Sequence, residues 1–128
     1  MNTTPLDVAF NAAMRCARAR FHGREMRAAF EQLERVHVLG QRRFVRHLLV
    51  HLWMLRIGWA ARDGLEVCGQ LLRLMLVPLG HLSGRLPTGN TGGAKVGAFA
   101  AMPVAADLAP LLLGSKAGAH GRRGLGDQ

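Results

Sequence analysis

The stretch Val36–Gly58, VHVLGQRRFVRHLLVHLWMLRIG, decides the fold. It holds His37, His47 and His51, a Leu39-Gly40 break between two apolar segments, and the least polar helix-like run in the chain. From about Arg42 to Ala61 apolar residues occur almost all round a helical wheel, which predicts a central helix enclosed by neighbours. Such a helix needs amphipathic partners, and the flanking sequence supplies them.

On the N-terminal side, Thr4-Pro5-Leu6-Asp7 combines a threonine cap, proline at the first helical position and a carboxylate facing the positive end of the helix dipole. Val8, Ala12, Cys16 and Ala19 keep helical spacing from there to His22-Gly23. Met26, Ala29, Phe30, Leu33, Val36 and His37 then share one face, and Arg27, Glu31, Glu34 and Arg35 the other. This predicts a second, amphipathic helix ending at Leu39-Gly40, where glycine suits a left-handed cap. On the C-terminal side, Asp63-Gly64-Leu65-Glu66 repeats the acidic cap and opens a fourth helix, which Pro78 is expected to end.

Met26–Val38 and Leu65–Val77 superpose at a shift of 39 residues, with the small residues Ala29 and Cys68 coinciding. The expected fold class is therefore all-α: two antiparallel helical hairpins, tetratricopeptide-like in arrangement although the full repeat pattern is not met. A Gly-rich loop, Gly80 to Ala101, and a short C-terminal helix to about Leu113 complete it. Residues 1–113 form one helical domain, and 114–128, lacking apolar anchors, are expected to be a disordered basic tail.

Composition agrees with an ordered helical chain. Hydrophobic residues make up 49% of the 128 residues and aromatics 5%, with no Tyr. The net charge is +9, and 15 of the 17 basic residues are Arg. Cys16 and Cys68 form no short metal or redox spacing, and the N-terminus lacks the pattern of a secretory signal, so a cytoplasmic protein with reduced thiols is expected. The most apolar runs, Phe44 to Ala61 and Leu65 to Leu82, carry Arg46 and Arg56, and Glu66 and Arg73, which argues against a transmembrane segment.

Several of these residues together resemble a known family. Leu33-Glu34-Arg35-Val36-His37-Val38-Leu39-Gly40-Gln41, then His47, His51 and Trp53 to Trp59, then Gly89-Asn90-Thr91-Gly92-Gly93-Ala94 and Met102-Pro103, are similar to the bacterial family catalogued as domain of unknown function 3703. The likeness covers roughly residues 5 to 113. It implies a genomic setting beside heavy-metal resistance and no defined chemistry. The chain departs from the family pattern at Lys95 and at Gly97 to Ala101.

The candidate chemistry centres on the histidines. His47 and His51 are four apart, so their side chains share a helix face about 5–6 Å apart, and His37 can supply a third nitrogen if the hairpin closes. Neutral imidazoles suit zinc, copper or nickel. A sulfur-containing set drawn from Cys or Met would shift the preference to copper(I). The same histidines also satisfy a structural reading in which they bond backbone carbonyls. A hydrolytic site would pair one of them with a carboxylate such as Glu34.

Gly89-Asn90-Thr91-Gly92-Gly93-Ala94-Lys95 resembles a phosphate loop but has Ala94 and Val96 at positions that need Gly and Ser or Thr. It suits a backbone anion nest at Gly89, Asn90, Thr91, Gly92 and Gly93, or a tight turn laid across the helices. Up to Val77 there are 12 basic and 6 acidic residues, which permits contact with nucleic acid or an anionic surface through Arg-rich helices, without any recognised nucleic-acid motif. No complete catalytic motif is present. The expectation is a non-enzymatic binding or adaptor protein with a protein partner, the alternatives being direct metal binding (Zn or Cu) at His37, His47 and His51, and nucleic-acid or anionic-surface binding through the Arg-rich helices.

Overall fold

Helices α1 (Pro5–His22), α2 (Met26–Gly40), α3 (Phe44–Ala60), α4 (Gly64–Ser83) and α5 (Ala109–His120) build the computed structural model. It describes residues 3–120, with side chains through Gly114. Among the described residues there is no strand. α1 packs on α2, α2 on α3 and α3 on α4, while α5 returns to α1, so the chain is an all-α pair of helical hairpins.

The first hairpin follows from its sequence with little change. Thr4 Oγ1 accepts from Asp7 N–H at 3.1 Å, and Asp7 Oδ2 accepts from Thr4 N–H at 3.0 Å, a reciprocal cap. Asp7 has a second task. Arg46 at the start of α3 donates to its other oxygen at 2.6 Å, and Arg43 lies 3.2 Å from it. The Thr4 hydrogen bonds, with these two guanidiniums, hold the Asp7 carboxyl far below the ordinary carboxylate range. One side chain thus starts α1 and fixes α3 against it.

Leu6, Phe10, Met14 and Ala17 of α1 meet Ala29, Leu33 and Val36 of α2 in the core, to which α3 adds Val50, Met54 and Ile57. Gly40 does not form a left-handed cap. It is the last residue of α2, and a Cβ there would lie 2.5 Å from the Phe10 ring, so its smallness admits that ring to the core.

The fourth helix does not stop at Pro78. It continues to Ser83 and ends at Gly84, whose φ of +70° is the left-handed cap that glycine favours. Proline removes one ladder bond there, but Val77 before it is buried and His81 after it is hydrogen-bonded to α3, which offsets that loss. Nor is α3 enclosed on all sides. Val45, Leu52 and Trp59 are 47–74% exposed, because no described element covers the side away from α1, α2 and α4.

Between α4 and α5 the Gly-rich segment forms an ordered lid, with Gly89 and Gly92 at φ +78° and +83°. α5 runs past the expected end at Leu113 to His120, and Leu111 and Leu112 reach the core. The rest of the expected tail, 121–128, lies outside the described residues.

Candidate metal centre

The register of α2 against α3 brings three histidines to one point. His37 lies in the last turn of α2; His47 and His51 lie one turn apart on the inner side of α3. His37 Nε2 is 3.0 Å from His47 Nε2 and 3.1 Å from His51 Nε2, and all three side chains are buried. These three make a group whose ligand atoms could hold a metal ion.

The far nitrogen of each ring has a partner. His37 Nδ1–H donates to the Asn90 carbonyl at 2.7 Å. His51 Nδ1 is 2.6 Å from Gln70 Oε1. Gln70 Nε2 donates to Glu66 Oε1 at 2.5 Å and to the Gly92 carbonyl at 2.8 Å, so its oxygen must face His51 and accept that proton. His47 Nδ1 is 3.0 Å from His81 Nε2.

The tautomers follow. With protons on Nδ1, neutral His37 and His51 direct two Nε2 lone pairs at each other across 3.1 Å. Only an electrophile between them relieves that arrangement. A His47 Nε2 proton can donate to His37 Nε2 at 3.0 Å; with His47 in the opposite tautomer, donating from Nδ1 to His81, a third lone pair joins the first two.

Protonation does not compete at neutral pH. Burial lowers His47 to about 3, with the nearby His51 and His81 adding to the shift. Burial likewise lowers His51 to about 4 and takes His37 well below its ordinary value. The rings are therefore neutral, as metal ligands must be.

The lid is tied down by the same polar side chains. Beyond its contact with His37, Asn90 donates from Nδ2 to the Gly97 and Ala100 carbonyls at 2.9 and 2.7 Å, and its Oδ1 accepts from Gly92 N–H at 2.9 Å. Ala94 N–H reaches both Glu66 oxygens at 3.2 Å, and Arg73 donates to the Gly69 and Val96 carbonyls. A Cβ on Gly92 would lie 2.7 Å from the His37 ring, so only glycine lets this turn close over the cluster.

A cavity of about 40 Å³ adjoins the histidines, with Gln41, Arg73 and Asn90 also in its wall. Gln41 Nε2 donates to the Pro87 carbonyl at 2.7 Å, whereas among the described residues its buried Oε1 has no hydrogen-bond partner.

Of the residues singled out from the sequence, His37, His47 and His51 meet. Asn90 and Gly92 lie over them as part of the lid, and the Gly92 and Ala94 N–H groups are bonded to side chains of the protein. Cys68 is exposed and Cys16 sits on α1, so neither joins the described cluster. Glu34 lines a separate groove with Glu31 and Glu66, and burial there raises its carboxyl. The carboxylate behind the histidines is instead Glu66, acting through Gln70. His81, Gln70, Glu66 and Gln41 carry much of the site without forming any sequence-local ligand motif. For Glu66 and Gln70 the signal is the spacing of Glu66, Gln70 and Arg73, one polar row along an apolar helix.

The molecule is thus a small helical-hairpin protein built around a buried, lidded histidine cluster. A family model described as Protein of unknown function (DUF3703) matches residues 4–112, and the chain belongs to that family. No curated protein and no solved structure matches the chain.

Proposed function

We propose that this protein binds a divalent first-row transition-metal ion, Zn²⁺ or a close neighbour, through Nε2 of His37, His47 and His51. The observation that supports this reading is the convergence of three imidazole nitrogens whose opposite nitrogens are each committed to another residue, the usual outer-shell device of metal-binding histidines. A metal–nitrogen bond of about 2.0–2.1 Å in tetrahedral geometry spaces the nitrogens roughly 3.3 Å apart. The His37–His47 and His37–His51 separations of 3.0 and 3.1 Å need to open by only a few tenths of an ångström, and the ligand atoms of all three residues lie within 4.8 Å of one another.

The ligand set contains no sulfur, which favours zinc over copper(I). Arg73 beside the cluster opposes a cation, and the Glu66 carboxylate behind Gln70 offsets it. Three protein ligands leave a fourth position, and the adjoining cavity has room for water whose proton Gln41 Oε1 would accept. No carboxylate among the described residues lines that cavity to act as a base, so a binding role in metal homeostasis is favoured over catalysis. The family setting implied by the sequence resemblance agrees with such a role.

Metal analysis of the natively purified chain, with calorimetric titration of zinc, tests the reading. One ion per chain is expected, and none for the variant with His37, His47 and His51 all changed to Ala. Equal uptake by that variant, or none by the natural protein, removes the proposal and leaves the histidines as posts for the lid.

A further inference from the structure

The outer side of the second hairpin carries a pattern that the metal site does not use. Along α4, Leu65, Cys68, Leu72, Met75, Leu79 and Leu82 are spaced 3, 4, 3, 4 and 3 residues apart, and every one of them is exposed. Two more heptads occur on α3. Val45, Leu52 and Trp59 are exposed, and Leu48 and Leu55 between them are half-buried, which completes the same spacing of alternating threes and fours.

A repeat of 3.5 residues is the period at which one helix keeps a continuous seam against another. The two helices run antiparallel: Gly58 meets Glu66, His51 meets Gln70 and His47 meets His81. An antiparallel hairpin whose two helices each carry such a row has the elements of half a four-helix bundle.

We infer that this face is a homodimer interface in which the α3–α4 hairpins of two copies pair about a twofold axis as a four-helix bundle. Its size is sufficient. Nine large apolar side chains on α3 and α4, the two exposed rows together with Leu71, are 47–85% exposed. At on the order of 100 Å² each they offer roughly 900 Å² per copy, against about 800 Å² per partner in a standard interface.

Charge also permits self-pairing. The chain carries +9 overall, yet the α4 row and its flanking positions Leu71 and Pro78 are uncharged, so two copies meet there without repulsion. A seam without flanking charges has nothing to exclude its own kind, and on α3 the exposed Arg56 beside the row has its guanidinium over the Phe21 and Trp53 rings. The competing occupant is a bilayer, because α4 is long and apolar enough to cross one. In this fold, however, Glu66, Gln70 and Arg73 bind α4 to α3 and the lid along its other side, which suits helix pairing better than immersion.

Sedimentation equilibrium of the full chain at micromolar concentration, without detergent or lipid, tests the inference. The expected mass is twice 13.9 kDa. Leu72→Glu with Met75→Glu, two solvent-facing changes, is expected to give a monomer with unchanged helical circular dichroism and unchanged metal content. Mixing it with the corresponding Lys variant should restore the dimer. Val8→Glu, on an exposed apolar residue of α1, should leave the mass at the dimer value. A monomeric natural protein, or a dimer indifferent to the glutamates, overturns the inference; a monomer that binds phosphatidylcholine vesicles assigns the face to a membrane instead.

Discussion

The two hairpins are built on opposite polarities. In α1–α2 the interior is Leu6, Phe10, Met14, Leu33 and Val36, and ion pairs such as Arg27–Glu31 lie outside. In α3–α4 the interior facing the lid is His47, His51, Glu66, Gln70 and Arg73, while leucines, Met75 and Trp59 face outward. The first hairpin has the arrangement that hydrophobic burial alone produces. The second has the arrangement expected of a helix pair that buries polar groups for a ligand and leaves apolar ones for a partner, since an uncompensated polar interior and an exposed apolar face are both unfavourable.

The largest effect should come from removing what the polar interior holds together. With His37, His47 and His51 all replaced by Ala, zinc affinity should fall by at least about a thousandfold, each lost ligand or outer-shell partner being worth 10-fold or more. The matching replacement of Leu33 in α2 by Ala should leave the liganding geometry in place while destabilising the fold by roughly 2–5 kcal/mol. If both variants lose metal and stability alike, the division between a packing hairpin and a binding hairpin fails. Zinc titration alongside denaturant unfolding separates the two outcomes.

Next in size is the response to acid. The folded-state values of His47, about 3, and His51, about 4, lie below the unfolded value near 6.5, so the unfolded chain binds more protons between them. Their contribution is complete above about pH 6.5 and is lost progressively as pH falls toward 4 and then 3. At pH 5 the ion-free protein should be less stable than at pH 7 by on the order of 1–2 kcal/mol per buried histidine. Urea unfolding of the ion-free protein at the two pH values measures this. The triple-alanine variant should lose most of the dependence, and a variant as acid-sensitive as the natural chain would place the sensitivity elsewhere.

How much of this was legible in the sequence depends on which signal each residue carries. The starts of α1, α2 and α4 lie where capping residues and periodicity place them, because those signals are local. His37, His47 and His51 stand out because histidine on an apolar face is chemically conspicuous. His81 was hidden behind Pro78, since proline reads as a stop when the tertiary contacts that carry the helix to Gly84 cannot be seen. Glu66 and Arg73 looked like interruptions of an apolar span. Their meaning depends on the lid, whose backbone carbonyl and N–H groups they satisfy across 23 to 28 residues of sequence. The apolar circumference of α3 predicted enclosure, but a helix facing a core on one side and a partner on the other has the same composition.

The lid gives a third test of the second hairpin. Gly92→Ala places a Cβ 2.7 Å from the His37 ring at a φ of +83°, so both sterics and backbone oppose it. A loss of roughly 1–3 kcal/mol is expected, together with weaker zinc binding as His37 is displaced. Gly64→Ala is the control, because a Cβ there meets nothing within 4 Å. Thermal unfolding of the two should differ clearly in sign or size; equal behaviour would mean that the lid does not press on the cluster.

The smallest effects divide the hairpins by the kind of polar residue each uses. Gln70→Leu removes the acceptor that fixes the His51 tautomer and the donor that holds Gly92, so zinc affinity should fall by about 10–100-fold, the range for outer-shell partners. Arg27→Ala on α2 removes an ion pair whose side chains are 94% and 60% exposed. Water replaces that pair at almost no loss, so zinc affinity should be unchanged and the melting temperature should move by no more than about 1–2 °C. Apart from His37 and Asp7, which face α3, the polar residues of the first hairpin lie on a surface where water already competes, whereas Gln70 in the second is held by geometry that water cannot reproduce. A measurable loss from Arg27→Ala, or none from Gln70→Leu, would reverse that assignment.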